Sequence, residues 1–135
     1  MEGTIYKLYN IKTNYYYYGK TTRSIQKRFI SHLSYGFSNG IIRPFGKLYN
    51  YMKTTKQDDW ELAEIEFCPI DKLKEREAFY VNSHIADPFC LNQNAIHLPQ
   101  YIKLAPIKSP KIIEEQSSLK PQNLQEAIHK IFNNT

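Results

Sequence analysis

The sequence predicts a small α/β (α+β) domain in which helices flank a three-stranded antiparallel sheet. Two segments near the N-terminus alternate bulky side chains like the paired strands of a hairpin, and a third such segment follows at residues 60–67. Amphipathic helical segments follow the hairpin and the third strand. With 135 residues and a hydrophobic content of 41%, the chain has the size and composition of one domain with a buried core.

The predicted hairpin is unusually rich in tyrosine. Its first strand covers residues 3–11 and its second strand residues 15–20, which begin with four consecutive tyrosines. A polar turn at residues 12–14 joins them, and the asparagine of this turn tolerates a left-handed backbone. Because strand side chains alternate in direction, Tyr17 and Gly19 are predicted to share one face of the second strand.

A basic helix is predicted after the hairpin, with Ser24 as its N-cap. It runs from residue 25 to about residue 35 and ends at Gly36. Its apolar stripe consists of Ile25, Phe29 and Leu33. Arg28 and His32 lie one turn apart on this helix and border the stripe, so both are expected at the edge of the buried face.

Two more helices are predicted, the first beginning near Pro44 and the second capped by Asp71 and ending at about residue 85. The apolar stripe of the second contains an acid, Glu77, whereas Glu75 projects from another side. Because an unpaired buried carboxylate is costly, Glu77 is expected to need a compensating cation.

The composition changes after residue 95, which divides the chain into a domain at residues 1–95 and an arm at residues 96–135. Four prolines precede residue 122 in this arm, and no periodicity is sustained there. A short helix is predicted at residues 122–132. We expect the arm to be dispensable for folding, so a chain ending near Asn94 should keep its tertiary structure.

Charge is distributed unevenly along the chain. Residues 1–56 carry ten Lys/Arg and one acid, a net charge of +9, whereas residues 57–95 carry three Lys/Arg and nine acids, a net charge of −6. Residues 96–135 carry a net charge of +2. A basic first half is typical of a polyanion-binding protein, and the alternative is an ordinary lysine-rich solvated surface.

Several classes of protein are disfavoured by the same sequence. It has no run of 18 apolar residues that could span a membrane, and its N-terminus lacks the basic and apolar regions of a signal peptide. We therefore expect an intracellular protein, in the cytoplasm or the nucleus of a host, with Cys68 and Cys90 reduced. One disulfide is left open as an alternative, and the absence of neighbouring ligands argues against zinc.

The predicted elements bring together residue types that suit hydrolysis of a phosphodiester. A carboxylate such as Glu77 can hold a hard cation, which neutralises charge on the phosphate. The planar fork of an arginine such as Arg28 binds phosphate oxygens. A phenol or an imidazole can orient or deprotonate the attacking water.

The same residues give the sequence a resemblance to a known family. Thr4-Ile5-Tyr6 and Tyr17-Tyr18-Gly19 resemble the paired tripeptides of the GIY-YIG endonucleases, and KRFISH, KEREAFYV and CLNQN resemble their later motifs. The resemblance covers residues 3–94. Thr4 stands where the family has its first glycine and Tyr18 where it has isoleucine, but both positions are chiefly structural.

The resemblance implies a fold, an activity and a set of site residues. The fold would be GIY-YIG nuclease-like, and the activity would be hydrolysis of DNA with Mg²⁺ or Mn²⁺ as the metal. The implied catalytic residues are Tyr6, Tyr17, Arg28, His32 and Glu77, with Glu77 as the metal ligand. Lys20, Arg23 and Lys27 would contact nucleic acid, while Gly19 and Asn92 would support the site structurally.

Two rival functions and several features of the activity stay open at this stage. The rival functions are a non-catalytic nucleic-acid-binding module that keeps the fold, and a nuclease that acts on RNA or branched DNA. The intact set of tyrosines, arginine and glutamate argues against the first. No helix-turn-helix or zinc motif is visible, so weakly specific cleavage, action as a dimer, and service to a mobile element or virus are all left open.

Overall fold

A computed structural model of the chain describes residues 2–37 and 46–98, together with the backbone of Lys111–Ile112. The elements in chain order are β1 (Glu2–Asn10), β2 (Tyr16–Thr21), α1 (Ile25–Phe37), α2 (Lys47–Met52), a 3₁₀ turn (Gln57–Asp59), β3 (Trp60–Pro69), α3 (Ile70–His84) and β4 (Lys111–Ile112). The α+β class and the order of the three main strands and helices agree with the prediction.

The sheet is antiparallel and has the order β2-β1-β3-β4. Its three long strands confirm the predicted three-stranded sheet, with the N-terminal strand in the centre. The fourth strand pairs two residues, Lys111 and Ile112, with Phe67 and Glu66 of β3. Two residues carry no detectable alternation, so this strand could not be predicted from the sequence.

The hairpin turn between β1 and β2 is built by Asn10. Its side-chain Oδ1 accepts hydrogen bonds from the backbone N–H groups of Lys12 and Thr13 at 2.9 and 3.1 Å. Asn14 has a φ of 65°, as predicted for the asparagine of this turn. The turn thereby fixes the register that places Tyr6 of β1 opposite Gly19 of β2.

Helices cover both faces of the sheet. Helices α1 and α2 pack on one face in a cluster that includes Tyr6, Leu8, Phe29, Leu33, Leu48, Met52, Trp60, Leu62 and Leu91. Helix α3 packs on the other face against Ile5, Tyr16, Tyr18, Cys68 and Cys90. The tyrosines of β2 therefore alternate between two cores, as the predicted alternation requires.

A β-bulge lies between β1 and β3 beside Tyr6. Ile5 is opposite Glu66 and Tyr6 is opposite Glu64, so Ile65 is the extra residue. The bulge turns both Ile65 and Glu66 toward α3. It changes the direction of the side chains at the point where β1 carries its buried tyrosine.

The fully buried acid of the domain is Glu66 rather than the helical acid singled out in the sequence. Arg76 donates from Nε and Nη2 to its two carboxylate oxygens at 2.7 and 2.6 Å, and the Tyr80 hydroxyl donates a third hydrogen bond at 2.9 Å. Glu66 is 0% exposed. This pair lies on the α3 face and joins α3 to β3, so we assign it a structural role.

Two predicted helix boundaries differ from the structure. Helix α1 continues to Phe37, because Gly36 packs against Met52 instead of ending the helix. Helix α3 begins at Ile70 with Pro69 in the N-cap position, so Asp71 lies in the first turn and was wrongly predicted as the cap. Pro44, the helix at residues 122–132 and most of the predicted arm lie outside the described residues.

The outer edge of β2 is partly covered by the segment that follows α3. The Tyr16 N–H donates to the Phe89 carbonyl at 3.0 Å, and the Leu91 N–H donates to the Tyr16 carbonyl at 2.7 Å. The side chain of Asn92 then accepts from the N–H of Tyr18 and donates to its carbonyl, both at 2.9 Å. Beyond Tyr18, no strand of the described chain pairs with this edge.

Two further predictions concern the cysteines and the membrane. Cys68 and Cys90 are free and buried, as predicted. In the part of the chain that the structure describes, no helix combines the length and the apolar character needed to cross a membrane.

Candidate active site

Arg28 and Tyr6 form the centre of the site. Ser24 caps the start of α1, because its Oγ accepts a hydrogen bond from the Lys27 N–H at 3.2 Å and its carbonyl accepts one from the Arg28 N–H at 3.1 Å. The cap fixes the first turn of the helix over the hairpin. From this turn, Arg28 Nε donates to the Tyr6 hydroxyl at 2.9 Å.

Gly19 provides the space that Tyr6 occupies. The two residues are opposite each other in the β1–β2 register. A Cβ atom on Gly19 would lie 2.5 Å from Tyr6 Cζ, which is closer than any real Cβ contact. The structural role predicted for Gly19 is thus given a physical basis, namely close approach of a neighbouring side chain to the backbone.

His32 lies beneath Tyr6 and is 1% exposed. Its Nε2 is 2.7 Å from the Tyr6 hydroxyl, and its Nδ1 is 3.0 Å from the hydroxyl of Tyr49 on α2. Burial, and secondly the nearby charge of Arg28, lowers the pKa of His32 to about 3. The imidazole is therefore neutral near pH 7 and carries one N–H.

Tyr6 has no exposed surface, and burial raises its pKa well above the ordinary value. Its hydroxyl contacts Arg28 and His32, and the phenol stays protonated. The resemblance implied catalytic roles for both Tyr6 and Tyr17. In the structure, the direct partners of Tyr6 are the catalytic arginine and histidine candidates.

Tyr17 is the half-buried member of the predicted tyrosine pair. Its ring centroid is 5.7 Å from that of His32, and it lines a cavity of about 320 Å³ together with Tyr49 and Glu77. Burial raises its pKa, Glu77 raises the pKa further, and Arg28 lowers it. Tyr17 is thus close enough to interact electrostatically with both Glu77 and Arg28.

Glu77 reaches this cavity from α3. Its side chain is 14% exposed, and its Oε1 is 3.4 Å from Nζ of Lys20, whose side chain is 39% exposed. The compensating cation expected for Glu77 is therefore a lysine at the surface. Glu75 points elsewhere, with its carboxylate 3.7 Å from Lys72.

The surroundings of Glu77 fit a magnesium or manganese ion held by few protein ligands. Within the described residues, no three His, Cys, Asp or Glu side chains come together, so no multi-ligand protein cage exists there. Mg²⁺ keeps most of its waters and often takes one or two carboxylates. A carboxylate beside an open cavity of about 320 Å³ supplies one ligand and room for several waters.

The predicted nucleic-acid contacts line a second cavity, of about 280 Å³. Its charged residues are Lys20, Arg23, Lys27 and Arg28. Its remaining walls are Thr21, Thr22, Ser31 and Leu73. Lys20 belongs to this basic cavity and also pairs with Glu77, so it links the cation-rich cavity to the one that contains the acid.

Sequence reasoning missed one residue of the site, Tyr49. The apolar stripe of α2 consists of Leu48 and Met52, and Tyr49 borders it as Arg28 borders the stripe of α1. That border position was the available signal. The bond from Tyr49 to His32 joins residues 17 positions apart on two helices, and no local pattern reveals such a contact.

The other predicted residues meet at the same place. Asn92 lies in the wall of the larger cavity and holds the backbone of Tyr18, the residue before Gly19. Five residues of the predicted catalytic set, from β1, β2, α1 and α3, thereby surround one corner of the domain.

One of three comparisons with known proteins identifies a family for the chain. No curated protein and no solved structure shows a significant match to the chain. The sequence model of one family, described as the GIY-YIG catalytic domain, matches residues 2–87. That match includes both tripeptides, the whole of α1 and the whole of α3, and with it the chain is shown to belong to the GIY-YIG nuclease family.

Proposed function

We propose that this protein is a metal-dependent endonuclease that hydrolyses DNA phosphodiester bonds. The observation that supports this best is the way Arg28 is held. Its Nε is fixed by a neutral phenol, and no carboxylate in the described part of the chain forms an ion pair with it. The guanidinium is therefore positioned without being neutralised, as a phosphate-binding group requires.

Arg28 would stabilise the negative charge that develops on the phosphate. With Nε used by Tyr6, the two terminal nitrogens of the fork stay available for phosphate oxygens. The neutral state of His32 matters here, since a charged imidazole would repel the guanidinium. Burial of His32 thus avoids a repulsion that would displace Arg28.

Glu77 would hold the divalent metal, Mg²⁺ or Mn²⁺. When bound, such an ion polarises the scissile phosphate and lowers the pKa of a coordinated water. Glu77 is suited to this because it faces the cavity and its existing partner, Lys20, is exposed enough to move away. The carboxylate is thus a ligand that a metal can reach without unfolding of the domain.

The two tyrosines would take different parts in placing the attacking water. Tyr17 faces the cavity and can hydrogen-bond a water directly. Tyr6 would act from below, by holding Arg28 against the hairpin. His32 supports Tyr6 and is too weak a base, at a pKa of about 3, to keep a proton taken from water.

DNA would approach along the basic cavity. Lys20, Arg23 and Lys27 provide cations beside Arg28, in the half of the chain that carries a net charge of +9. Neutralising phosphates releases counterions, so the affinity for DNA should fall steeply with salt. Two reduced cysteines are consistent with an intracellular enzyme. The proposal also includes action as a dimer, which a measurement of the mass in solution tests.

A plasmid-nicking assay tests the proposal. We expect nicking of supercoiled DNA in Mg²⁺ and loss of nicking in chelator, while structured RNA and branched DNA serve as competing substrates. The Glu77→Gln variant should lose cleavage by orders of magnitude and keep its fold and its affinity for DNA, because it removes the charge that holds the metal. That affinity should even rise slightly, since a negative charge near the phosphates is lost.

Glu75→Gln is the matched control, since it makes the same change on the same helix at a carboxylate paired with Lys72. It should cleave like the parent. Binding of DNA without any cleavage would instead support the non-catalytic module, and full activity of Glu77→Gln would remove Glu77 from the metal site.

A further inference from the structure

We propose that Tyr49 is a positioning residue for the reaction, which orients Arg28 through the buried side chains of His32 and Tyr6. The inference rests on the proposed function and adds to it a residue outside the tripeptides and the two helices that carry the motifs. Tyr49 lies on α2, a helix in which the sequence pattern predicts no functional residue.

The four side chains form an unbroken hydrogen-bonded chain. Tyr49 is 3.0 Å from His32 Nδ1, His32 Nε2 is 2.7 Å from the Tyr6 hydroxyl, and Arg28 Nε is 2.9 Å from the same hydroxyl. The two inner side chains, Tyr6 and His32, are 0% and 1% exposed. The two ends are half-buried, and each lines a cavity.

The donors and acceptors of this chain fix its direction. Arg28 can only donate, so it uses a lone pair of the Tyr6 oxygen. The hydrogen of the buried Tyr6 hydroxyl then needs an acceptor, and the contact that offers one is His32 Nε2. Because the neutral imidazole has a single hydrogen, that hydrogen must be on Nδ1, which donates it to Tyr49.

Loss of the Tyr49 hydroxyl would disturb the opposite end of the chain. The Nδ1 hydrogen would be a buried donor without a partner, which is costly, so the imidazole would lose its preference for this form and would also populate the form protonated on Nε2. Nε2 would then donate to Tyr6 and compete with Arg28 for its oxygen, while the Tyr6 hydrogen would lose its acceptor. Arg28 would therefore be held less firmly.

The test is the Tyr49→Phe variant, which keeps the ring and removes the hydroxyl. Nitrogen NMR of the imidazole should show that His32, protonated on Nδ1 in the parent, also populates the form protonated on Nε2 in the variant. The Arg28 Nε–H signal should exchange faster with water. In single-turnover cleavage in Mg²⁺, the rate should fall by about tenfold or more with unchanged DNA affinity, the pattern of a lost transition-state contact.

Tyr51→Phe is the matched control, because Tyr51 is on the same helix and its ring packs against Tyr15 and Trp60. It should leave both NMR signals and the rate unchanged. A double-mutant cycle adds a second test. If Tyr49 acts only through the imidazole, Tyr49→Phe should cost nothing further in a His32→Phe background.

The outcomes separate this inference from the proposed function. If the parent protein does not cleave DNA, the proposed function fails, while the two NMR signals still decide whether Tyr49 controls the chain. Unchanged His32 and Arg28 signals in Tyr49→Phe would overturn the inference. So would a shift of the His32 proton with no loss of rate in an active enzyme, or additive losses in the cycle.

Discussion

The phenol of Tyr6 occupies the space that a side chain on Gly19 would need. The two residues face each other across the first strand pair, and a Cβ on Gly19 would overlap the phenol ring. The glycine of the second tripeptide thus exists to accommodate the tyrosine of the first. Since the same phenol holds Arg28, this contact links the packing of the hairpin to the chemistry of the site.

Gly19→Ala should therefore damage activity through Tyr6. The added methyl group must displace the phenol, and overpacking of this kind costs about 1–3 kcal/mol of stability. We expect a folded protein with a lower melting temperature and a cleavage rate reduced beyond what the unfolded fraction explains. Thermal unfolding and single-turnover cleavage measure the two effects.

Gly36→Ala is the control for this substitution. Its added Cβ would meet Met52, a flexible side chain in the core behind the site, so its cost should appear in stability alone. Parent-like cleavage by Gly19→Ala would show that Tyr6 does not need its present position.

His32 should make the stability of the fold depend on pH. Its pKa is lowered from 6.5 to about 3, so below pH 6.5 the unfolded chain binds a proton that the folded protein rejects. The contribution of His32 to stability is therefore complete above that pH and is lost progressively as the pH falls toward 3. Between about pH 7.5 and about pH 5.5 the loss from this group should be about 1.4 kcal/mol.

Denaturant unfolding of the parent and of His32→Phe at these two pH values measures the effect. The variant should lose this part of the pH dependence, whatever its absolute stability, because it has no imidazole to titrate. Equal slopes for the two proteins would mean that His32 accepts a proton in the folded state.

Lys20 should have two separable effects, because it pairs with Glu77 and also lines the basic cavity. Lys20→Met should weaken DNA binding and reduce the salt dependence by about one phosphate contact. It should also strengthen Mn²⁺ binding without DNA, by at most about fivefold, because exposed ion pairs are weak. Salt titrations and calorimetry provide the two measurements.

Lys27→Met separates these effects, since it removes the same charge from the same cavity away from Glu77. It should reproduce the change in salt dependence and leave Mn²⁺ affinity unaltered. Identical metal affinities in both variants would show that Lys20 does not compete for the carboxylate.

The end of the folded domain can be located with two shortened chains. Ile96 exchanges two backbone hydrogen bonds with the side chain of Asn82, at 2.8 and 2.9 Å, and packs against the cluster beneath α3. A chain ending at residue 98 should keep its near-ultraviolet tertiary signal. A chain ending at residue 94 should also fold but lose about 1–2 kcal/mol of stability.

Full-length protein is the reference for both, and denaturant unfolding gives the difference. Loss of tertiary signal in the chain ending at residue 98 would mean that the arm forms part of the core. Equal stability of the two shortened chains would mean that the contacts of Ile96 contribute nothing.

Local patterns were sufficient to predict most of the scaffold. The alternation of β2 placed Tyr17 and Gly19 on one face, and helical spacing placed Arg28 and His32 on one side of α1, because both follow from backbone geometry alone. What the sequence did not reveal depends on pairs far apart in the chain. The bulge at Ile65 is set by two strands together, and it decides where a buried carboxylate points.

Two of the buried polar side chains, Glu66 and His32, show the same limit. Glu66 and Glu77 are both acids within partly apolar segments, and the choice between them depends on Arg76, ten residues from the first. His32 was expected at the edge of the core, but it is almost completely buried, and Tyr6 and Tyr49 satisfy both of its ring nitrogens. Only the folded chain brings those partners together.

The segment that lies along the outer edge of β2 also limits aggregation of the protein. An edge strand that begins with a run of uncharged tyrosines is a template on which other chains can add strands and aggregate. The bonds from Phe89, Leu91 and Asn92 occupy that template as far as Tyr18. The part of the β2 edge that stays unpaired is shorter, because it begins after Tyr18. It contains Lys20, whose charge disfavours the pairing of two copies. Asn92, which lies in the wall of the larger cavity, therefore also opposes self-association of the protein.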